Sequence, residues 1–327
     1  MSAKQWPLWL PLREDLTSLS PYGAPQVPAE ATLNTNENPY APSPELAQAI
    51  ADRVHRVATT LNRYPDRDAT VLRTALGKFI NSLSGTNFAA DSIWAANGSN
   101  EIIQSLFMAF GDRGALGFTP SYSMHPLIAK VIGVTWKDGG RRTDFTLDTA
   151  KAVSEIKASK PALTFITTPN NPTGTLLKID EIEELAKATS QVNGLLVVDE
   201  AYAEFSSEAS AVTLIAQYPN LVVIRTMSKA FAFAGARVGY LVANPEVIDA
   251  MFLVRLPYHL SAITQAAAEV ALEFQGELLG TVATLIDSRQ KVVTALVGMG
   301  LEVTPSSANF IIFSGFNLEP AQIWRQL

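Results

Sequence analysis

The stretch "VVIRTMSKAFAFAGARVGY" (residues 222–240) begins as a buried strand and then changes character. Its apolar start leads into Thr226, Ser228 and Lys229, and no further charge follows until Arg237. Short apolar runs of this kind are typical of strands buried on both faces of a parallel sheet. An unpaired lysine is rarely buried, so its amine either escapes to solvent or is held at the strand end to do chemistry. The small, uncharged flanks favour the second interpretation.

The same strand-like pattern recurs along the chain. The other apolar runs are "IWAA" (93–96), "GALGF" (114–118), "ALTFITT" (162–168) and "GLLVVDEAY" (194–202). Helical patterns stand before and between them: "SPELAQAIADRV" (43–54), "DATVLRTALGKFIN" (68–81), the apolar positions 102, 103, 106, 107 and 110, "PLIAKVIG" (126–133) and "KIDEIEELAKATS" (178–190). Such alternation predicts an α/β fold, a three-layer, doubly wound and mostly parallel sheet.

The pattern changes after about residue 259. A long helical stretch (263–300) leads to a predicted pair of strands around "LEVTPSSANFIIF" (301–313), which indicates a smaller α+β domain. The final "EPAQIWRQL" (319–327) has the pattern of the first turns of another helix, where a domain rarely ends, so we expect the protein to continue beyond it. The predicted segments are an N-terminal arm that forms part of the small domain (1–45), a large domain (46–259) and a small domain (260–327).

Composition excludes several classes of protein. The chain has 327 residues and a net charge of −6, which argues against nucleic acid as a partner. No apolar run reaches the roughly 18 residues of a membrane span. The N-terminal residues 1–15 lack a signal-peptide pattern, so we expect a cytoplasmic protein without a membrane partner. The chain contains no cysteine and its 3 histidines lack metal-ligand spacing, so no metal is expected.

Four polar clusters follow predicted strands, where ligands bind in open parallel sheets. They are "NGSNE" (97–101), "PNNPTG" (169–174), "DEAY" (199–202) and "TMSK" (226–229). Because the carboxyl ends of parallel strands share one edge of the sheet, we expect these clusters to form a single site. The phosphate loop of P-loop NTPases and the glycine fingerprint of dinucleotide enzymes are both missing from the sequence, which disfavours those classes.

Three groups in these clusters have a recognisable use. Ser99 and Asn100 follow Gly98 at a helix start, where free N–H groups favour an anion; an ordinary helix cap is the alternative. Asp199 ends a buried strand, and its carboxylate needs a partner there: a cationic ring nitrogen, a helix end or an arginine. Tyr202 lies three residues further on and can present its hydroxyl to the same ligand.

Lys229 and Arg237 complete the set. A partly desolvated lysine has a lowered pKa, and its free amine can form an imine with a carbonyl. Arg237 offers a planar fork suited to a phosphate. One ligand requires a lysine, a phosphate site, a carboxylate at a ring nitrogen and a partner for a phenolic oxygen, and it is pyridoxal 5'-phosphate. The prediction rests on the four motifs together.

The motifs also resemble those of a known family. "TPNNPTG" (168–174), "VVDEAYAEF" (197–205) and "TMSKAF" (226–231) resemble the fold-type I pyridoxal-phosphate-dependent aminotransferases. Five more narrow the resemblance, which covers nearly all of residues 11–313, to the histidinol-phosphate aminotransferase family: "LNTNENPYAPSP" (33–44), "LNRYPDRDATVLR" (61–73), "AANGSNEII" (95–103), "PSYSMHP" (120–126) and "LPYHLSAITQAAA" (256–268).

This resemblance implies roles for the cofactor-binding residues. Lys229 would bond the cofactor aldehyde and move a proton during the reaction, and Asp199 would keep the ring nitrogen protonated. Asn171 and Tyr202 would hydrogen-bond the phenolic oxygen, and Tyr122 would stack on the ring. The residues implied to hold the phosphate are Ser99, Asn100, Thr226, Ser228 and Arg237.

The resemblance also implies partners and substrates. Tyr64 would reach the phosphate of a partner subunit, so the family predicts a homodimer with shared active sites. Tyr22 and Asn38 would contact substrate. The family's C-terminal arginine, which grips the substrate's anionic group, is not assigned, because Arg325 lies in a different sequence context.

The reaction implied is amino transfer between L-histidinol phosphate and 2-oxoglutarate in histidine biosynthesis. An aromatic amino-acid aminotransferase would share every cofactor motif. A catalytically incompetent protein of the same fold is a further alternative, against which the intact Lys229, Asp199 and Arg237 speak. A decarboxylase or carbon–carbon lyase fits less well, since "NNPTG" and "NENPY" belong to the transaminase branch.

Overall fold

The computed structural model describes residues 6–24, 26 and 30–326, the last three by backbone alone. The sequence predictions for the first five residues, and for the side chain of Arg325, lie outside the described residues.

Seven strands form the central sheet: β1 (Ile93–Ala96), β2 (Ala115–Gly117), β3 (Trp136–Asp138), β4 (Leu163–Thr167), β5 (Leu195–Asp199), β6 (Leu221–Thr226) and β7 (Gly239–Val242). Their order in space is β1-β7-β6-β5-β4-β2-β3. Every neighbouring pair is parallel except the two that involve β7, which runs antiparallel to both β1 and β6. The predicted mostly parallel α/β sheet is therefore confirmed.

Both faces of the sheet are buried, which explains the continuous apolar runs in its strands. Successive side chains of a strand point to opposite faces. Val198 and Val223 belong to the apolar cluster on one face of the sheet, whereas Val197 and Val222 belong to the cluster on the other. Burial on both sides removes the alternation of polar and apolar residues seen in half-exposed strands.

Helices cover both faces of this sheet and extend beyond it. They are α1 (Pro44–Ala58), α2 (Thr70–Ser84), α3 (Ser99–Phe110), α4 (Met124–Ile132), α5 (Thr149–Ser159), α6 (Ile179–Ser190), α7 (Pro245–Val254), α8 (Ala262–Glu273), α9 (Gln275–Gly298) and α10 (Pro320–Gln326). The predicted start of α1 is confirmed, because the Ser43 side chain accepts a hydrogen bond from the Leu46 N–H. In the described part of the chain, none of these helices has the length and apolarity needed to cross a bilayer.

The structure differs from the sequence prediction near residue 274 and in four elements that were not predicted, β3, β7, α5 and α7. The predicted helix over 263–300 is two helices, because the backbone of Phe274 leaves the helical conformation between α8 and α9. Phe274 packs against the main apolar cluster at this point. The antiparallel strand β7 was not predicted, since four residues after a loop carry too little pattern to distinguish them from that loop.

The C-terminal part of the chain forms the predicted strand pair. β8 (Glu302–Val303) pairs antiparallel with β9 (Phe313–Ser314), and α9 packs against β8. Helix α8 instead packs against α1, where Arg53 forms ion pairs with Glu269 at 3.0 Å and Glu273 at 2.9 Å. The domain boundaries at 45/46 and 259/260 stay predictions.

Gly239 in β7 gives a stability test of the close packing of β7 against the start of α3. A Cβ at this position would lie 2.6 Å from the backbone carbon of Gly98 and 2.6 Å from the Ser99 nitrogen. We expect Gly239→Ala to lower the free energy of unfolding by about 1–3 kcal/mol, because backbone atoms cannot move aside cheaply. Urea unfolding measures the change. Gly235→Ala is the matched control, since a Cβ there meets no atom within 4 Å; equal stability of the two variants would contradict this packing.

Candidate active site

A cavity of about 470 Å³ opens at the carboxyl ends of β4, β5 and β6, beside the start of α3. Its volume lies within the range of roughly 300–1,000 Å³ of small-molecule sites. The structure brings together in its wall most of the residues singled out from the sequence: Tyr22, Ser99, Asn100, Tyr122, Asn171, Asp199, Tyr202, Thr226, Ser228, Lys229 and Arg237. The predicted convergence of the four clusters at one sheet edge is therefore seen directly.

One end of the cavity suits an anion. Helix α3 begins at Ser99, directly after Gly98, whose φ of 82° is in the left-handed region that favours glycine. A side chain at Gly98 would collide with the guanidinium of Arg237, so glycine lets the arginine approach the helix start. Free N–H groups, the positive end of the helix dipole and a guanidinium then face the same space.

Arg237 is held in place by the turn that follows β6. Its backbone has a φ of 56°, and its Nη1 donates to Ser228 Oγ at 3.3 Å and to the Ala234 carbonyl at 3.2 Å. The Ser228 N–H in turn donates to Thr226 Oγ1 at 3.1 Å. Two hydroxyls and a planar fork thus line the anion end, a set of groups suited to a phosphate.

Asp199 lies at the end of β5 and is only 2% exposed. Its Oδ2 lies 3.1 Å from Nε2 of His125, which is also 2% exposed, and its Oδ1 accepts the Ala201 N–H at 3.2 Å. With the proton of the imidazole on Nε2, the ring donates to the carboxylate and fixes its orientation. Because the carboxylate also lines the cavity, it is placed to receive a cationic N–H from a ligand.

His125 was missed as a site residue by the sequence analysis, which considered histidines only as metal ligands. Its ring is packed between aromatic side chains, edge to face with Tyr122 at a centroid distance of 5.4 Å and 4.9 Å from Phe165. The available signal was its place in "PSYSMHP", three residues after Tyr122. Among the residues described here, no group of three or more His, Cys, Asp or Glu side chains could hold a metal ion.

Two of the tyrosines that line the cavity, Tyr122 and Tyr202, have buried hydroxyls with raised pKa values. Burial, reinforced by the charge of Asp199, raises the pKa of Tyr122 to about 12, and its hydroxyl donates to Asn100 Oδ1 at 3.1 Å. Burial likewise raises the pKa of Tyr202, whose hydroxyl accepts from Asn171 Nδ2 at 3.3 Å and from Asn36 Nδ2 at 3.2 Å. Both phenols therefore stay neutral across the physiological pH range.

Lys229 is partly buried, and its Nζ donates to the Thr35 carbonyl at 2.6 Å. Burial lowers the pKa of this amine to about 8; the nearby Glu37 opposes the shift and Arg237 adds to it. No carboxylate forms an ion pair with Lys229 in the described structure. A lysine with this pKa exists substantially as the nucleophilic free amine at slightly alkaline pH.

Two of the predicted residues lie away from this cavity. Tyr64 is 79% exposed and stacks on Tyr258, with ring centroids 4.4 Å apart. The Asn38 amide donates to the Ala230 carbonyl at 3.3 Å and to Thr281 Oγ1 at 2.9 Å, so it joins the N-terminal segment to α9. The proposed roles of both residues stay predictions.

Comparison with known proteins bears on this geometry. The family model for aminotransferases of class I and II matches residues 30–327. The histidinol-phosphate aminotransferase of Mycolicibacterium vanbaalenii is 54% identical over 97% of this chain and 86% of its own length. That of Mycobacterium avium is 51% identical over 97% of this chain and 80% of its own. The chain belongs to the histidinol-phosphate aminotransferase family.

Solved structures agree with this membership. The histidinol-phosphate aminotransferase of Sinorhizobium meliloti, solved in complex with pyridoxal 5'-phosphate, superposes with a TM-score of 0.75 at 25% identity, over 85% of this chain and 74% of that one. A variant of Thermus thermophilus aspartate aminotransferase shares the fold, with a TM-score of 0.80 at 20% identity over 94% and 85% of the two chains. The fold-type I aminotransferase fold implied by the sequence motifs is thus confirmed.

The lowered pKa of Lys229 predicts how its reactivity depends on pH. With a pKa of about 8, the amine is mostly protonated below pH 8 and mostly free above it, whereas an ordinary lysine at pH 8 is under about 1% free amine. Competitive acetylation of the cofactor-free protein, read by mass spectrometry, should show a midpoint near pH 8 for Lys229. Lys187 is the internal control, because its bond to Glu183 raises its pKa. A shared midpoint for the two lysines would show that Lys229 is not desolvated.

Proposed function

We propose that this protein is a pyridoxal-phosphate-dependent transaminase that converts L-histidinol phosphate and 2-oxoglutarate to imidazole-acetol phosphate and L-glutamate, in histidine biosynthesis. The observation that carries the proposal is the arrangement of one cavity, in which Lys229, Asp199 and the anion end at Arg237 face each other. Its substrates are small metabolites of the cytoplasm, where we place the enzyme. The names of the similar proteins favour this reading over the aromatic amino-acid and catalytically incompetent alternatives.

The residues of the cavity fit the cofactor group by group. The phosphate would lie at the start of α3 between Ser99 and Arg237, and the aldehyde would meet the amine of Lys229. The ring nitrogen would meet Asp199, and the phenolic oxygen the hydroxyl of Tyr202. Asn171 would add a second donor at that oxygen, Asn100, Thr226 and Ser228 would complete the phosphate site, and Tyr122 would cover the ring. When bound, the cofactor supplies an electron sink for negative charge at the substrate carbon.

The chain's own side chains then have separate tasks. Asp199, held by His125, would keep a proton on the ring nitrogen, because a buried carboxylate stabilises a neighbouring cation strongly. Lys229 would accept a proton from the substrate carbon and return one, a task suited to an amine whose pKa lies near working pH. By holding the phosphate, the anion end would fix the position of the cofactor and keep the reacting atoms aligned.

We also propose that the enzyme works as a homodimer. The segments around residues 61–71 and 253–263 lie against each other, since Arg255 Nη1 donates to the Arg67 carbonyl at 3.0 Å and Tyr64 stacks on Tyr258. Large apolar side chains are exposed along both segments: Leu61, Tyr64, Val71, Leu253, Leu256, Tyr258 and Ile263. A second copy of the chain would cover them. Tyr64, which lies outside its own cavity, would then reach the partner's phosphate site, while Tyr22 and Asn38 would serve the substrate.

A substrate comparison tests the proposed reaction. We expect kcat/KM for L-histidinol phosphate with 2-oxoglutarate to exceed that for L-phenylalanine by at least about tenfold, because a charged phosphate gains hydrogen bonds that phenylalanine lacks. Glutamate formation measures both rates. The control is Lys229→Ala, which should lose at least about 10²–10⁴ in rate. A preference for phenylalanine would contradict L-histidinol phosphate as the substrate. Near-normal turnover of Lys229→Ala would contradict the proposed role of Lys229.

The homodimer is tested by light scattering on Tyr64→Phe and on the unchanged protein. Both should have twice the mass of one chain, since the stacked ring of residue 64 is kept. The variant should bind pyridoxal phosphate more weakly, by about 3–10-fold, because one hydroxyl contact to the phosphate is lost. A monomer with full activity would contradict the shared site.

A further inference from the structure

The hydroxyl oxygen of Tyr202 accepts two hydrogen bonds from the protein. Two side-chain amides donate to its oxygen, Asn171 at 3.3 Å and Asn36 at 3.2 Å. The ring is fixed edge to face against Phe310, with centroids 5.0 Å apart. With its acceptor capacity used by two N–H groups, the phenol oxygen has only its own hydrogen left to offer. Neither amide N–H can accept that hydrogen, so it is directed into the cavity that Tyr202 lines.

Asn36 is held firmly enough to serve as such a donor. Its backbone has a φ of 55°, which asparagine tolerates better than most residues. Its carbonyl accepts from Asn309 Nδ2 at 3.1 Å, and the carbonyl of the preceding Thr35 accepts from Lys229. Asn34, Thr35 and Asn36 all line the cavity. The short segment 34–38, called here the strap, therefore spans the distance from the amine of Lys229 to the hydroxyl of Tyr202.

We propose that Asn36 is a positioning residue, whose side-chain amide holds the Tyr202 hydroxyl as a hydrogen-bond donor toward the phenolic oxygen of the cofactor. This inference rests on the proposed function and deepens it. In the proposed function, Asn171 also donates to the phenolic oxygen of the cofactor. Asn36 has no such second task, so its amide is the one that acts on the Tyr202 hydroxyl alone. A well-aimed O–H stabilises the anionic form of that oxygen and so lowers the pH at which the bound cofactor loses its proton.

Two substitutions at this position separate the amide from the backbone. Asn36→Gly keeps the left-handed conformation accessible and removes the amide without adding charge. Asn36→Asp keeps the size of the side chain but replaces the donor by an acceptor, which would draw the Tyr202 hydrogen away from the cavity. We expect the dissociation constant of pyridoxal phosphate to rise about 3–10-fold in the glycine variant and by at least about tenfold in the aspartate variant. The pH midpoint of the bound cofactor's absorbance should move upward in both.

Asn309→Ala provides the structural baseline, because it loosens the strap and leaves the amide of Asn36 in place. It should lower the melting temperature of the cofactor-free protein and leave the absorbance midpoint unchanged. If Asn309→Ala and Asn36→Gly shifted the absorbance midpoint of the bound cofactor equally, the inference would be overturned. The position of the strap would then set the midpoint, and the Asn36 side-chain amide would not. A shift in Asn36→Asp alone would also overturn it, as a pure effect of added charge.

The outcomes also separate this inference from the proposed function. Unchanged protein that takes up no pyridoxal phosphate would overturn both. Unchanged protein that binds it, with both Asn36 variants showing the same affinity and midpoint, would overturn only the role of Asn36. Circular dichroism of each variant confirms that the fold is kept, so that weaker binding reports on the site.

Discussion

The parallel pairing of β4, β5 and β6 is the constraint on which the site depends. The register places Thr167 opposite Asp199, and Asp199 opposite Ile224, so the three strands end at nearly the same level. Backbone hydrogen bonds continue this register past the strand ends, from Thr168 N–H to the Asp199 carbonyl at 3.0 Å. Polar residues that follow the strands must therefore meet at one edge. Without this alignment the lysine, the carboxylate and the anion end would lie on separate surfaces.

The environment at that edge sets the chemistry, as two nearby cations show, one buried and one partly buried. Arg225 in β6 is 3% exposed and donates to Glu200 at 2.7 Å and to Glu204 at 3.0 Å, and these carboxylates hold its pKa above the ordinary value. Lys229 follows four residues later; its Nζ donates to a backbone carbonyl and lies over the ring of Tyr202, and burial lowers its pKa. A buried cation that forms ion pairs with carboxylates stays charged. A desolvated amine without a carboxylate partner more readily loses its proton and becomes nucleophilic.

A second layer of side chains supports the groups that face the ligand. His125 orients Asp199, Ser228 helps to hold Arg237, and Asn36 contacts Tyr202. None of these supports is next in sequence to the group it holds. These hydrogen bonds fix the directions of donors and acceptors before a ligand binds. Electrostatic stabilisation requires such fixed directions.

The sequence by itself determined the α/β class, most strands and helices, and the set of motifs that gather at the cavity. These features are local: an apolar run, a capping serine or a polar cluster after a strand is visible within a few residues. Tertiary structure alone decided the antiparallel strand β7 and the pairing of His125 with Asp199, 74 residues apart. It also decided the contact of Asn36 with Tyr202, 166 residues apart. Contacts between distant residues depend on how whole layers pack, and no local pattern of residues encodes that arrangement.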